Sequence, residues 1–369
     1  MRKGWEYKRL DECANIEYGT RVVQKKDSGT LYPVYGGGGE TFRMDKFNRE
    51  DCLIVARFAM SRRCVRFVNG KFFLNDSGLS VKAGDKLYQS YLNYNIISLN
   101  DDIYHLGKGA AQRNLDVKSF KKLTIAIPPQ STQLAIVSEL DKINELIRLK
   151  KEQLKDFDNL AQSLFYEMFG DPVENEKGWE VKKLNDICDV RDGTHDSPKY
   201  LQNSEYILIT SKNIVNGSID FENVNYISEE DYIKINKRSK VDNGDIIMPM
   251  IGTIGNPIIA HIDGTHKFCI KNVALIKFLA DSTVNNMFIV NLMRCSSFSS
   301  YLLNQNKGGT QKFVALGAIR KLPIPLPPLP LQHLFAQRIE QIEQQKAEVQ
   351  KAITDLETLL ASRMQYWFE

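Results

Sequence analysis

The sequence predicts an α/β (α+β) protein in which two mixed globules are separated by an antiparallel coiled coil of two long helices, with an internal pseudo-two-fold repeat. Three observations predict it. First, Ile136, Leu140, Ile143, Ile147, Lys150, Leu154, Phe157, Ala161, Leu164 and Met168 recur at alternating spacings of four and three, with one polar break. That is a heptad stripe, longer than an ordinary surface helix sustains. Second, Phe335, Ile339, Ile342, Lys346, Val349, Ile353, Leu356, Leu360 and Trp367 repeat the stripe in phase, each 199 positions after its counterpart. Third, the head and tail of each half are repeated. Gly4-Trp5-Glu6-Tyr7-Lys8-Arg9-Leu10 matches Gly178-Trp179-Glu180-Val181-Lys182-Lys183-Leu184 at an offset of 174. Lys108 to Arg113 matches Lys307 to Lys312, Leu123 to Pro129 matches Leu322 to Pro328, and Gln133 matches Gln332, all at an offset of 199.

Taken in order, residues 1–128 are expected to form the first globule, with β-like runs such as Cys52-Leu53-Ile54-Val55 between glycine turns. Residues 129–170 form the first long helix. It starts after Pro128-Pro129, where missing N–H groups cost little, and breaks at Gly170-Asp171-Pro172. Residues 171–326 form the second globule, with runs such as Ile246-Ile247-Met248 and Val273-Ala274-Leu275-Ile276 and a helical stretch from Asp281 to Leu303. Residues 327–369, opened by Pro327-Pro328, form the second long helix. Lys150 and Lys346 fall on the apolar stripes and are expected to snorkel out or to meet acidic neighbours. The middle of the second half is 25 residues longer than that of the first, and the two middles barely resemble each other. Similar frames around dissimilar centres suggest two reading heads tuned to different targets.

A chain of 369 residues accommodates two or three domains, and 43% hydrophobic with 25% charged residues is ordinary for a globular protein. The net charge of +4 points weakly to an anionic partner. No run approaches the roughly 18 apolar residues of a membrane helix. The start, Met1-Arg2-Lys3-Gly4-Trp5, lacks a signal-peptide core, so no membrane association and a cytoplasmic location are expected. The six cysteines form no CxxC pair and no histidine stands at zinc-finger spacing; reduced, mostly buried thiols and no structural metal are expected.

The catalytic motifs are missing: no GxxxxGK[ST], no GxGxxG after a strand, no GxSxG, no Asn/Asp-Pro-Pro-Tyr. Gly36 to Gly39 is expected to be a surface turn rather than a phosphate cradle. Asp101-Asp102 and Glu229-Glu230-Asp231 are expected in turns and caps. His195 follows Asp192-Gly193-Thr194 and is expected to make a polar loop contact; a catalytic role lacks a nucleophile at any recognisable spacing. The basic residues are more telling. From Cys52 to Asn75 there is no acidic residue, while Arg57, Arg62, Arg63, Arg66 and Lys71 interleave with Phe58, Phe67, Phe72 and Phe73. Guanidinium groups suit phosphates and the O6/N7 edge of guanine, with the aromatics packed inward. A solvated basic face is the alternative. The second half offers Thr253, Asn256, Lys271 and Asn272, beside Thr194 and His195. The repeated loops, with Lys108, Gly109, Gln112 and Arg113 in one half and Lys307, Gly308, Gln311 and Lys312 in the other, place a glycine turn between two cations. That suits phosphate contact, with a plain β-turn as the alternative.

These doubled features, with Tyr32-Pro33-Val34-Tyr35-Gly36-Gly37 and Asp192 to Pro198, resemble the specificity subunit of type I restriction-modification enzymes over essentially the whole chain. The resemblance implies that each globule is a target-recognition domain reading one half of a bipartite double-stranded DNA site. It implies that the helices fix the half-site spacing and dock modification subunits, two of them expected, with restriction subunits joining. This chain would catalyse nothing and bind no cofactor; S-adenosylmethionine, ATP and Mg would belong to partner subunits. Any terminal segment that closes a pseudo-cyclic arrangement in relatives is expected to be short or missing. From a different class, a coiled-coil scaffold with protein-docking globules and no DNA specificity also suits the residues, as does an enzyme with a cryptic nuclease or methylase site.

Overall fold

Two forty-residue helices, Gln130–Phe169 and Leu329–Phe368, carry the two stripes. At about 1.5 Å per residue each is a rod of roughly 60 Å. Each starts directly after its Pro-Pro pair. Gly170 ends the first in left-handed backbone at φ +78°, where a Cβ would lie 2.7 Å from Glu176 Oε1. The computed structural model describes residues 2–109, 112–215, 217–252, 254–279, 282–304 and 313–369. The chain divides into two units, Met1–Lys151 with Gln350–Glu369, and Glu152–Val349. Each unit holds one globule and parts of both helices, so the division falls inside the helices rather than at their ends.

The strands of the first unit are β1 (Glu6–Arg9), β2 (Ala14–Tyr18), β3 (Tyr32–Gly36), β4 (Gly39–Met44), β5 (Arg49–Ala56), β6 (Val65–Leu74), β7 (Gly78–Ala83), β8 (Gly107–Lys108), β9 (Asn114–Leu115) and β10 (Thr124–Ile127). Six of them form one sheet, in the order β2-β7-β5-β6-β3-β4. It curls until Leu74 O, at the end of β6, accepts a hydrogen bond from Thr20 N, just beyond β2. The run Leu53-Ile54-Val55 is buried on both faces, and its side chains alternate. Leu53 and Val55 face the cluster that includes Ile136 and Leu140 of the first long helix. Ile54 faces inward, onto Val68, Phe72 and Leu74.

The second unit holds β11 (Glu180–Lys183), β12 (Asp189–Asp192), β13 (Tyr206–Ile209), β14 (Ile214–Val215), β15 (Ser218–Ile219), β16 (Asn225–Ile227), β17 (Ile246–Pro249), β18 (Ile258–Ile259), β19 (Lys267–Ile270), β20 (Val273–Lys277) and β21 (Pro323–Leu326). Their pairing repeats that of the first unit, although the sequences of the two middles barely match. β12 pairs with β20 and β20 with β17, as β2 pairs with β7 and β7 with β5. β13 runs parallel to β19 and antiparallel to β16, as β3 does to β6 and β4. The single strand β6 borders both β5 and β3; in the second unit β18 takes the first role and β19 the second. The alternation repeats as well. Ile246 and Met248 face the helix side, and Ile247 faces the inner cluster with Val273 and Leu275.

The repeated heads and tails are each other's partners. β1 pairs with β10 (Glu6 opposite Ile127), and β11 pairs with β21 (Glu180 opposite Leu326), so each half closes with the same two-stranded ribbon below its helix. The matched glutamines anchor the helices. Gln133, fully buried, accepts from Tyr88 N at 2.9 Å and donates to the carbonyls of Lys86 and Pro128 at 2.9 Å each. Gln332, also fully buried, accepts from Asn285 N at 2.9 Å and donates to the carbonyls of Thr283 (3.5 Å) and Pro327 (2.8 Å).

Within each unit the start of one long helix packs on the end of the other, which makes the pairing antiparallel. In the first unit Ile136, Val137 and Leu140 share a cluster with Leu360, Met364, Trp367 and Phe368. Glu139 accepts from the Arg363 guanidinium and from Trp367 Nε1 (3.0 Å), and Lys151 pairs with Glu357 at 2.8 Å. In the second unit Phe165 and Phe169 pack on Phe335, Ile339 and Ile342. There Lys346 meets Asp158 at 2.8 Å and Glu343 at 3.0 Å, the acidic partners expected of it. Ile143, Ile147, Val349 and Ile353 are also buried, whereas Leu154, Phe157, Leu164, Leu356 and Leu360 are half-buried. The buried positions near the end of the first helix are Phe165 and Phe169, one residue beyond the Leu164 and Met168 of the heptad stripe. A straight α-helix drifts about 20° per heptad against a 3.5-residue period, and over four heptads that moves the buried face by about one position.

The helical stretch expected from Asp281 to Leu303 holds two helices, Asn286–Arg294 and Ser296–Asn304, separated at Cys295. Among the described residues no helix is long and apolar enough to cross a membrane. All six cysteines are free, four of them buried; burial alone pushes the Cys188 thiol up to about 12. Phe165→Ala is expected to cost about 3–5 kcal/mol in denaturant unfolding. Leu164→Ala, beside it on the expected stripe, is expected to cost clearly less; equal losses would restore the unshifted heptad face.

Candidate nucleic-acid interface

In the first unit three loops close on the turn Asn75-Asp76-Ser77. Thr20 N donates to Leu74 O, Asn75 N to Tyr35 O, Arg57 N to Ser77 O (2.8 Å) and Gly37 N to Ser77 Oγ (3.1 Å). So close an approach leaves no room for side chains. A Cβ on Gly19 would sit 1.9 Å from Asn75 O, and one on Gly37 would sit 2.2 Å from Phe58 O. The hairpin β8–β9 joins the same group. Leu115 N donates to Arg57 O (2.8 Å) and Met60 N to Arg113 O (2.9 Å). Arg57, Lys108, Gly109, Gln112 and Arg113, far apart in sequence, are thereby brought together.

Their side chains differ in availability. The Arg57 guanidinium lies over the rings of Phe58 (4.4 Å) and Tyr18 (5.1 Å), and that of Arg113 lies over Tyr104 (4.7 Å). Lys108 pairs with Asp116 at 2.6 Å. The Lys108 hydrogen bond, with those from Ser119, holds the Asp116 carboxyl down at about 2. Asp116 also caps the helix Val117–Lys121. Gly109 turns the hairpin at φ +114°. Arg62 and Arg63 are exposed on the same β5–β6 loop as Arg57. Arg66 is braced against the carbonyls of Arg63 and Gly37. Lys71 stands outside the group, opposite Glu50 on β5, with its Nζ 4.8 Å from the centre of the Phe47 ring. Phe72 and Phe73 pack inward as expected; Phe67, opposite Leu53 on β5, does not and is 39% exposed.

The second unit repeats the corner with other residues. Gly193 N donates to Val273 O and Thr194 N to Ile270 O, matching Gly19 to Gly78 and Thr20 to Leu74. Lys271 thus stands where Asn75 stands in the first unit. Asn272 has φ +56°. His195 is held at both ring nitrogens, Nδ1 by Asn272 Oδ1 (2.9 Å) and Nε2 by Asp192 Oδ2 (2.7 Å). Buried Asp192 also pairs with Arg238, on the helix Glu229–Ser239. The loop after β17 mirrors the one after β5. Val314 N donates to Met250 O, and Gly252 at φ +78° takes the place of Ala59 at φ +48°. Asn256 is exposed on this loop. Thr253, Lys307, Gly308, Gln311 and Lys312 lie outside the described residues. Sequence reasoning did not single out Tyr18, Asn75, Ser197 or Arg238; the Gly-Thr pairs Gly19-Thr20 and Gly193-Thr194, 174 positions apart, are the local signal of the corner. Asp101-Asp102 and Glu229 to Asp231 occupy first turns of helices, where acids suit the helix dipole. Among the described residues no group of His, Cys, Asp and Glu is placed to hold a metal ion.

A family model described as the type I restriction modification DNA specificity domain matches residues 2–156 and again 176–358. The chain belongs to this family. Its part in a type I restriction-modification system is DNA recognition, and it is not a catalytic chain. The two matched segments coincide with the two halves of the repeat. The MjaIX specificity subunit of Methanocaldococcus jannaschii is 25% identical over 404 aligned positions, covering 97% of this chain and 91% of that one. The MjaVIII subunit of the same organism is 24% identical, over 79% of this chain and 75% of that one. In fold, the chain resembles the crystallised type I S subunit from M. genitalium, with TM-score 0.55 at 15% identity over 98% and 95% of the two chains. A chain from a structural study of type I R-M complex assembly and conformational transition gives TM-score 0.55 at 16% identity, over 100% and 98%.

Joint Arg62→Ala and Arg63→Ala substitution is expected to leave thermal unfolding unchanged and to lower the slope of log affinity for duplex DNA against log salt by up to about two. An unchanged slope would remove both arginines from the interface.

Proposed function

We propose that each unit reads one half of a bipartite, asymmetric DNA sequence and that the two long helices, as an antiparallel coiled coil, set the spacing between the halves and dock two modification subunits. Restriction subunits join that assembly. S-adenosylmethionine, ATP and Mg are bound by those partners and not by this chain. Duplex DNA lies along the loop corners. Arg57, Arg62, Arg63, Lys108 and Arg113 contact phosphates or guanine edges in the first unit, with Gly109 and Gln112 allowing close approach. Thr194, His195, Asn256, Lys271 and Asn272 serve the second unit, with Thr253, Lys307, Gly308, Gln311 and Lys312. Lys71 adds a more distant phosphate contact.

The observation that carries this reading is one frame used twice with different contents. Ribbon, glutamine anchor and strand pairing are the same in both units, while the corner holds Asn75-Asp76-Ser77 in one and Lys271-Asn272 in the other. A repeat serving structure alone has no reason to vary its most tightly interlocked loops.

Exchanging residues 1–128 for the corresponding segment of another family member is expected to change one half-site and leave the other intact. Inserting four residues after Lys150 is expected to change the spacer or abolish modification. Both are read by sequencing methylated adenines in cells carrying the variant with its modification subunits. A change in both half-sites after the exchange, or an unchanged spacer after the insertion, would contradict the proposal.

A further inference from the structure

Lys271 is the one cation among the described residues that is buried, at 8% exposure. Its Nζ donates to Ser197 Oγ at 2.7 Å. An ammonium has three donors, and no carboxylate among the described residues lies within 4.0 Å of this one. Three half-buried cations of the chain show the usual solution, a carboxylate partner. Lys277 has Asp242 at 2.9 Å and also Asp245, Lys346 has Asp158 at 2.8 Å, and Arg49 has Glu17 at 3.2 Å. Asp192, the buried carboxylate of this corner, is already taken by Arg238 and His195. A lysine stem this covered is tolerated where its charged end emerges to water or to an anion.

The surroundings say which it is here. Lys271 sits in the Gly193-Thr194 corner, bridged to Thr194 and hydrogen-bonded through its own N–H to Ile209 O. Ser197, which its Nζ reaches, is exposed. The side chain therefore runs through the covered corner and delivers its charge at the surface of the proposed interface. We infer that Lys271, held by Ser197, is a built oxyanion site that takes one backbone phosphate of duplex DNA, and that it positions the second unit without reading a base. The inference rests on the DNA-reading role proposed above. It also makes the two corners unequal, since the first unit has neutral Asn75 at this point, turned inward to accept from Ser77 N at 2.9 Å.

The test compares the full chain, assembled with its modification subunits, with Lys271→Met, Lys271→Arg and Ser197→Ala. Lys271→Met is expected to leave the melting temperature unchanged or higher and to lower affinity roughly tenfold at 0.1 M salt. The log–log salt slope should shrink by about 0.9, with the methylated sequence unaltered. Lys271→Arg should keep the slope, and Ser197→Ala should weaken binding severalfold with its fold intact. An unchanged slope, a relaxed base preference in one half-site, or a fall in melting temperature without loss of affinity would each overturn the assignment. Inorganic phosphate distinguishes the source of the anion. If it binds the wild type but not Lys271→Met while the DNA salt slope stays the same, the site serves a free anion and the inference fails. If the wild-type assembly prefers no DNA sequence, the DNA-reading proposal itself fails.

Discussion

One buried amide in each half fixes where its long helix leaves its globule. Gln133 and Gln332 are fully buried, and each joins the cap of a neighbouring helix to the Pro-Pro corner through three hydrogen bonds. A buried amide is tolerated only when its donors and acceptor are all paired, so the geometry around it admits little slack. Helix direction, the head–tail ribbon and the sheet face that receives the helix follow from that arrangement. Above it, strand alternation assigns one set of side chains to the helix and the next to the curled interior. The loops that remain are therefore presented from a fixed frame.

What the frame presents differs between units. Glycine-Threonine enters the same corner in each, but one meets the neutral turn at Asn75 and the other the buried cation Lys271. The first corner stacks two arginines on aromatic rings, while the second ties His195 and Arg238 to one buried aspartate. Rigid scaffold and variable loops are the physical form of a protein that recognises two different targets with one architecture.

Much of this was legible in the sequence. The stripes, the proline starts, the Gly170 stop and the Gln133–Gln332 match are local or periodic signals, and such signals survive divergence. The shared strand pairing of the two middles was not, because pairing depends on alternation and burial rather than on residue identity. β6 in one unit and β18 with β19 in the other conceal the equivalence further by splitting one strand into two. The shift from Leu164 to Phe165 arises from helix geometry that a strict seven-residue count ignores. Arg238 and Asp192 meet across 46 positions, and Tyr18, the second ring under Arg57, comes from a distant strand. No local pattern announces such contacts. The Cys52–Asn75 basic run did locate part of the corner, but it gave the same weight to Lys71, which stands apart from it opposite Glu50.

The central claim is that two unequal reading heads share one frame. Sequencing methylated adenines in cells that carry this chain with its modification subunits tests it most directly. The account predicts one bipartite motif, with two different specified halves around an unspecified spacer of fixed length. An uninterrupted motif, or two identical halves, would contradict it.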